Sequence, residues 1–148
     1  MSDTTTRAVA KPVPVPDELS EGFWAAAARG RLAIQRCADC GRYTHPPTTV
    51  CSGCFTVPPH LAAEDVSGRG RIASWTVVRQ AFLPGFRDDV PYVVVVVELD
   101  EQPGLKVLGR LVDGVDATFA IGDRVEVTFE EPAPGVAVPA FRLGGGRS

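Results

Sequence analysis

Cys37-Ala-Asp-Cys-Gly-Arg-Tyr-Thr-His-Pro-Pro-Thr-Thr-Val-Cys-Ser-Gly-Cys54 decides how this chain is read. Two C-x2-C pairs stand ten residues apart, and each pair forms a turn that aims two thiolates at one point. A hairpin between them gathers the sulfurs into a tetrahedral S4 site, in which Zn–S bonds are ~2.3 Å. Gly41 after the first pair supplies the permissive backbone of such a knuckle, with amide N–H groups turned toward sulfur. Structural zinc on Cys37, Cys40, Cys51 and Cys54 is the expectation. Iron in the same S4 set, redox thiols and disulfides are the alternatives. Four thiolates leave no position to activate water, so this metal builds structure and does not catalyse. His45 and His60 flank the second pair and could replace a ligand, although such histidines more often serve as surface or hydrogen-bonding groups.

Toward the N-terminus, Leu32-Ala-Ile-Gln-Arg36 alternates and leads into Cys37 as a short strand would. Before it, Ser20 offers an N-cap oxygen to Phe23-Trp24-Ala-Ala-Ala-Ala28, and Gly30 is placed as the left-handed stop. A helix this short needs tertiary support, so Phe23 and Trp24 pack either on this chain's own core or on a partner subunit. Lys11-Pro-Val-Pro-Val-Pro16 forbids a helix and favours an extended arm, flexible or draped over the surface. Residues 61–69 read as a polar connector.

Beyond residue 69 the pattern turns to strands. They are expected over 71–79, over 92–99, where unbroken valines suggest burial on both faces, and over 105–112. A fourth covers 124–130, with Val125, Val127 and Phe129 on the inner face, and a fifth covers 138–143. Five strands in so short a span suit a small barrel. The domain plan is a flexible arm at 1–16, a helix and strand at 17–35, the metal ribbon at 36–62, the barrel at 63–143 and a flexible tail at 144–148.

Composition agrees. The 148 residues include 21 valines, which favour pleated strands, while Gly 15 plus Pro 13 favours turns over long helices. A net charge of −3 with no Lys/Arg cluster disfavours a nucleic-acid binder, whose groove must be basic. The polar start and the lack of any apolar run near the ~20 residues of a membrane helix point to a soluble, cytoplasmic protein. In that reducing compartment four cysteines serve metal better than disulfides.

No constellation for catalysis emerges. The cysteines are committed to metal, both histidines lie in or beside the metal segment, and the P-loop, dinucleotide and nucleophile-elbow signatures are absent from the sequence. The Asp88-Asp89 and Asp100-Glu101 pairs read as solvated turn carboxylates. Residues 80–90 are unusual: Phe82, Leu83 and Phe86 occupy a loop around Pro84 and Gly85, where polar residues are expected. Such a loop either folds back as a lid over the barrel mouth or docks on another protein. Arg79 and Arg87 border it and could meet an anionic ligand.

These residues together resemble the DUF35 family, in which a rubredoxin-like zinc ribbon precedes an OB-fold. The resemblance spans about 23–143. It rests on Phe23-Trp24, Leu32-x-Ile-Gln-Arg-Cys-x-x-Cys-Gly41, Pro46-Pro47 before Cys51-x-x-Cys54, Gly68-x-Gly-x-Ile-x-Ser-Trp-Thr-Val77, Pro91-Tyr92 before the valine strand and Glu98-Leu99-Asp100, and Ile121-Gly122-Asp123-x-Val125. Gln102-Pro103-Gly104 departs from the family's simple turn. The resemblance implies a mainly β chain: an N-terminal helix, a zinc ribbon, then a five-stranded OB-fold barrel. It also implies a non-catalytic accessory subunit of thiolase-superfamily enzymes acting on acyl-CoA thioesters, including the aldolases and MaoC-like hydratases of steroid side-chain degradation. Phe23, Trp24, Arg79, Phe82, Leu83, Phe86 and Arg87 are then the candidate partner or CoA contacts. A nucleic-acid module and a stand-alone acyl-CoA binder are the competing readings.

Overall fold

A computed structural model describes residues 10–144; the first part of the expected arm (1–9) and the tail beyond 144 lie outside the described residues. The rest of the arm, residues 10–16, is draped chain without helix or strand. It is pinned by Lys11, whose Nζ lies 2.7 Å from Asp89.

Helix α1 (Glu21–Ala28) starts directly after Ser20 and buries Phe23, Ala26 and Ala27. Ser20 holds the N-cap position, but its hydroxyl caps nothing. It donates instead to Asp17 Oδ1 (2.8 Å), which also accepts the Ser20 N–H. The local bond to a carboxylate won over the bond to a helix amide. The C-terminus follows expectation: Gly30 has φ +75°, its N–H donates to Ala27 O, and Arg31 N–H donates to Ala26 O, each at 2.9 Å. Those two bonds satisfy carbonyls the helix leaves open.

Strands β1 (Ala33–Cys37), β2 (Tyr43–Thr44) and β3 (Leu61–Asp65) form an antiparallel sheet in the order β2-β1-β3. The connector expected over 61–69 is therefore corrected, since its first half is a strand. Leu-Ala-Ala-Glu-Asp carries no β-branched residue and exposes most of its side chains, so it lacks the local signal. Backbone pairing along β1, with Arg36–Glu64 (2.8 Å) and Arg31–Asp65 (3.1 Å) across it, makes it one.

Strands β4 (Arg69–Val78), β5 (Tyr92–Leu99), β6 (Lys106–Leu111), β7 (Arg124–Ala133) and β8 (Val136–Leu143) close into a barrel in the order β4-β5-β6-β8-β7. Only the β6–β8 contact is parallel. The run of five valines on β5 is not buried on both faces: Val93, Val95 and Val97 are in the core, while Val94 and Val96 are half-buried on the outer wall. A barrel strand has one inner face, so even a continuous apolar run must split by alternation. Phe141 is fully buried against Gly109, where a Cβ would stand 2.8 Å from its ring. β7 and β8 extend past their expected ends into the hairpin at Pro134-Gly135, because a register shift between Glu130 and Ala133 accommodates Pro132.

The sequence departure at Gln102-Pro103-Gly104 also has a use. Gln102 Oε1 accepts the Tyr43 N–H (2.8 Å) and Gln102 Nε2 donates to Tyr43 O (2.9 Å). One side-chain amide thus copies a strand's backbone and latches the β5–β6 turn to β2 of the ribbon.

Candidate metal centre and docking surface

The two C-x2-C turns bring all four cysteine Sγ atoms within 4.8 Å of one another. Cys37 Sγ lies 3.5 Å from Cys54 Sγ, and Cys40 Sγ lies 3.6 Å from Cys51 Sγ. A tetrahedron with Zn–S bonds of ~2.3 Å has edges of ~3.8 Å, so the donor set fits zinc. Backbone donors are in place: Cys40 N–H points at Cys37 Sγ (3.4 Å) and Gly53 N–H at Cys51 Sγ (3.3 Å). Hydrogen bonds from the Cys54 and Gly53 amides pull Cys51 down to about 6. Cys54 is pushed up to about 12: the Thr56 amide favours its thiolate, but burial and the three neighbouring thiols outweigh that bond. Four thiolates this close repel one another, and a divalent cation is the charge that lets all four ionise. The zinc-ribbon cofactor is structural zinc.

Neither histidine joins the sulfurs. His60 Nδ1 pairs with Asp39 Oδ1 (2.9 Å) on the surface. His45 stacks on Phe23 at 5.2 Å, and burial holds its imidazole below the usual range. It borders a cleft of about 440 Å³ between α1 and the ribbon, also lined by Phe23, Gln35, Thr48, Leu61 and Ala63.

The expected contact residues separate into groups. Phe23 belongs to this chain's core, edge-on to Trp24 at 4.8 Å, so its place among partner contacts is corrected. It fills the space where helix, ribbon and barrel meet. Trp24 is half-buried beside Val136 and Ala137 at the β7–β8 turn and the arm prolines Pro14 and Pro16. Phe86 is half-buried too, with its ring 6.0 Å from that of Tyr92 and Lys11 Nζ 5.5 Å above it. Phe82 is 85% exposed and Leu83 is 51% exposed at the loop crest. Arg79 and Arg87 are exposed, and neither forms an ion pair among the described residues.

The loop's base is fastened. Asp89 accepts from Lys11 (2.7 Å) and from Arg110 Nη1 (2.9 Å), and a Cβ on Gly85 would stand 2.7 Å from Lys11 Cα. Lys11 first, then Arg110, holds the Asp89 carboxyl below its usual range. Asp100 is likewise lowered by Arg124, which it meets through two hydrogen bonds of 2.8 and 2.6 Å. Glu101 accepts the Ser67 N–H at 2.7 Å. The acidic turn pairs are therefore fasteners and not merely solvated charges; only Asp88 remains free of such a bond among the described residues.

Sequence reasoning passed over Phe55, which is 75% exposed at the tip of the second knuckle with φ +65°. The signal was present, because Phe55 follows its cysteine pair as Gly41 follows the first.

Among the described residues no helix is long and apolar enough to cross a membrane. Family models described as the ChsH2 rubredoxin-like zinc ribbon domain and the ChsH2 C-terminal OB-fold domain match residues 24–56 and 63–130. A DUF35 domain-containing scaffold protein of Methanothermobacter thermautotrophicus is 35% identical over 119 residues, covering 78% of this chain and 86% of that one. A probable enoyl-CoA hydratase alpha subunit of Thermomonospora curvata is 35% identical over 121 residues, covering 81% of this chain. This chain spans only 36% of that subunit's length. Among solved structures, one described as the Ltp2-ChsH2(DUF35) aldolase superposes with a TM-score of 0.77 at 32% identity, covering 88% of this chain and 98% of that one.

Proposed function

This chain belongs to the DUF35 family of zinc-ribbon and OB-fold proteins, and on that premise we propose that it is a non-catalytic subunit of a thiolase-superfamily enzyme. The partner acts on an acyl-CoA thioester, as a thiolase or a retro-aldolase, and steroid side-chain CoA esters are the substrate class to try first. The making or breaking of the C–C bond belongs to the partner. This chain supplies a rigid docking body and meets the CoA thioester only indirectly. A MaoC-like hydratase is a second partner of the same assembly, a reading supported by the name of the hydratase relative. The complex resides in the cytoplasm, where metal-binding thiols stay reduced.

One observation carries the proposal. Residues 80–90 hold Phe82 at 85% exposure while Asp89, gripped by Lys11 and Arg110, fixes the loop's base. An apolar crest on a fastened base suits a partner surface better than a mobile lid, because little ordering entropy is lost on binding.

The test is recovery of the tagged chain from its host's lysate, with co-purifying proteins identified by mass spectrometry, for wild type and Phe82→Asp. The expectation is a stoichiometric thiolase-fold subunit with wild type, most of it lost with Phe82→Asp at unchanged zinc content. Equal recovery with the variant removes the loop from the interface. Wild type eluting alone, or with nucleic acid, refutes the accessory role.

A further inference from the structure

We infer that Phe55 is an aromatic knob that the second zinc knuckle presents to an apolar pocket on the partner enzyme; this rests on the accessory-subunit role proposed above. The two knuckles are built alike. Gly41 N–H donates to Cys37 O at 2.8 Å, and Phe55 N–H donates to Cys51 O at 2.9 Å. The residue after each cysteine pair is left-handed, with φ +82° at Gly41 and +65° at Phe55. Glycine occupies that region freely, whereas a Cβ there crowds the following carbonyl, and a bulky residue is an outlier. Phe55 is the one non-glycine residue with positive φ among the described residues.

The ring regains little inside the molecule. It is 75% exposed and stacks on no other aromatic ring among the described residues. Val50 and Val57 on the same hairpin are exposed as well, and no Asp, Glu, Lys or Arg lies between Arg42 and His60. A strained residue kept where glycine would be comfortable points to use outside the chain.

The occupant follows from shape and charge. A small ligand needs concave walls, and Phe55 lines none of the clefts described above. A second copy seated knuckle to knuckle would oppose two zinc–tetrathiolate centres, each of net charge −2, with the exposed Cys54 beside each ring. A different protein fits: one with a concave apolar pocket whose rim offers N–H groups or cations to the exposed sulfurs.

The test uses the full-length, zinc-loaded chain and, as probe, the thiolase-superfamily subunit expressed from the same host and titrated by calorimetry. Phe55→Gly and Phe55→Asn both suit the left-handed backbone, and Phe55→Tyr keeps the ring. All three should retain wild-type zinc content, and Phe55→Gly should melt about 3 °C higher, or at least no lower. Kd should weaken about tenfold to a hundredfold for Gly and Asn and by less than about threefold for Tyr. Unchanged Kd for Gly and Asn overturns the inference alone. So does zinc loss or a lowered melting temperature, since the ring would then serve the ribbon itself. A wild-type chain that does not bind the subunit overturns the accessory-subunit reading and this inference with it.

Discussion

Replacing Gln102 by Ala should cost the protein about 2 kcal/mol. Two hydrogen bonds to Tyr43 disappear, of 2.8 Å at its N–H and 2.9 Å at its carbonyl. Each such bond contributes roughly 1 kcal/mol net, and a backbone group left unpaired costs about 1–3 kcal/mol. Gln102 is only half-buried, so water can enter the vacated space and keep the loss at the lower end. For a domain of this size that is a fall in melting temperature of about 6 °C. The same change should speed zinc transfer to a chromogenic chelator. Tyr43 lies on β2, which steadies β1, and β1 ends at Cys37. Gln102→Glu sharpens the test: its carboxylate still accepts the Tyr43 N–H at pH 7 but repels the Tyr43 carbonyl. Protonated at about pH 4, it can donate again and should regain part of the deficit relative to wild type. A Gln102→Ala protein melting within about 1 °C of wild type, with unchanged zinc transfer, would refute the latch.

Three other outcomes follow from the fasteners, the metal and the loop. Asp89→Asn should lower the melting temperature by about 3 °C at pH 7 by weakening the bonds to Lys11 and Arg110. Asp89 titrates below its unfolded value, so its contribution is present above about pH 4 and fades as pH falls through the folded value. The gap between variant and wild type should therefore close in acid, and a gap that persists at pH 2 would contradict the charge account. Cys40→Ser, or a strong chelator, should unmake the ribbon and leave the barrel. Both tryptophans report on the barrel, since Trp24 packs beside Val136 and Ala137 of β8 and Trp75 of β4 lies 5.0 Å from Phe119. Tryptophan fluorescence should therefore stay near that of wild type while the remaining cysteines become open to alkylation; full thermal stability without metal would contradict the zinc reading. Phe82→Asp should leave the melting temperature within about 1 °C of wild type, because its side chain is already in water.

What could be read from the sequence was whatever depends on near neighbours. The knuckles announce themselves by spacing, β5 by its valines and the inner face of β7 by alternation. Features that answer to distant partners stayed hidden. β3 is a strand because β1 lies beside it, not because Leu-Ala-Ala-Glu-Asp prefers extension. The Asp17 carboxylate took over the Ser20 hydroxyl, and Pro132 concealed the far ends of β7 and β8. Of the contact residues, Phe82 and Leu83 stand where an apolar loop should put them, whereas Phe23 was needed at the junction of helix, ribbon and barrel. Phe55 could have been found by comparing the two knuckles residue by residue.

The packing of α1 against β8 sets an order of events on the ribosome. The last zinc ligand, Cys54, emerges long before Leu143, the end of β8. At roughly 5–20 residues per second the interval is on the order of 5–20 seconds. The metal knuckles can thus form while the first helix still lacks the strand it packs on. Through that interval Trp24 and the apolar side of α1 are open to chaperones, and release from them coincides with completion of the barrel. A nascent chain stalled before residue 136 should hold zinc and remain bound to a chaperone, and synthesis of the final strand should free it.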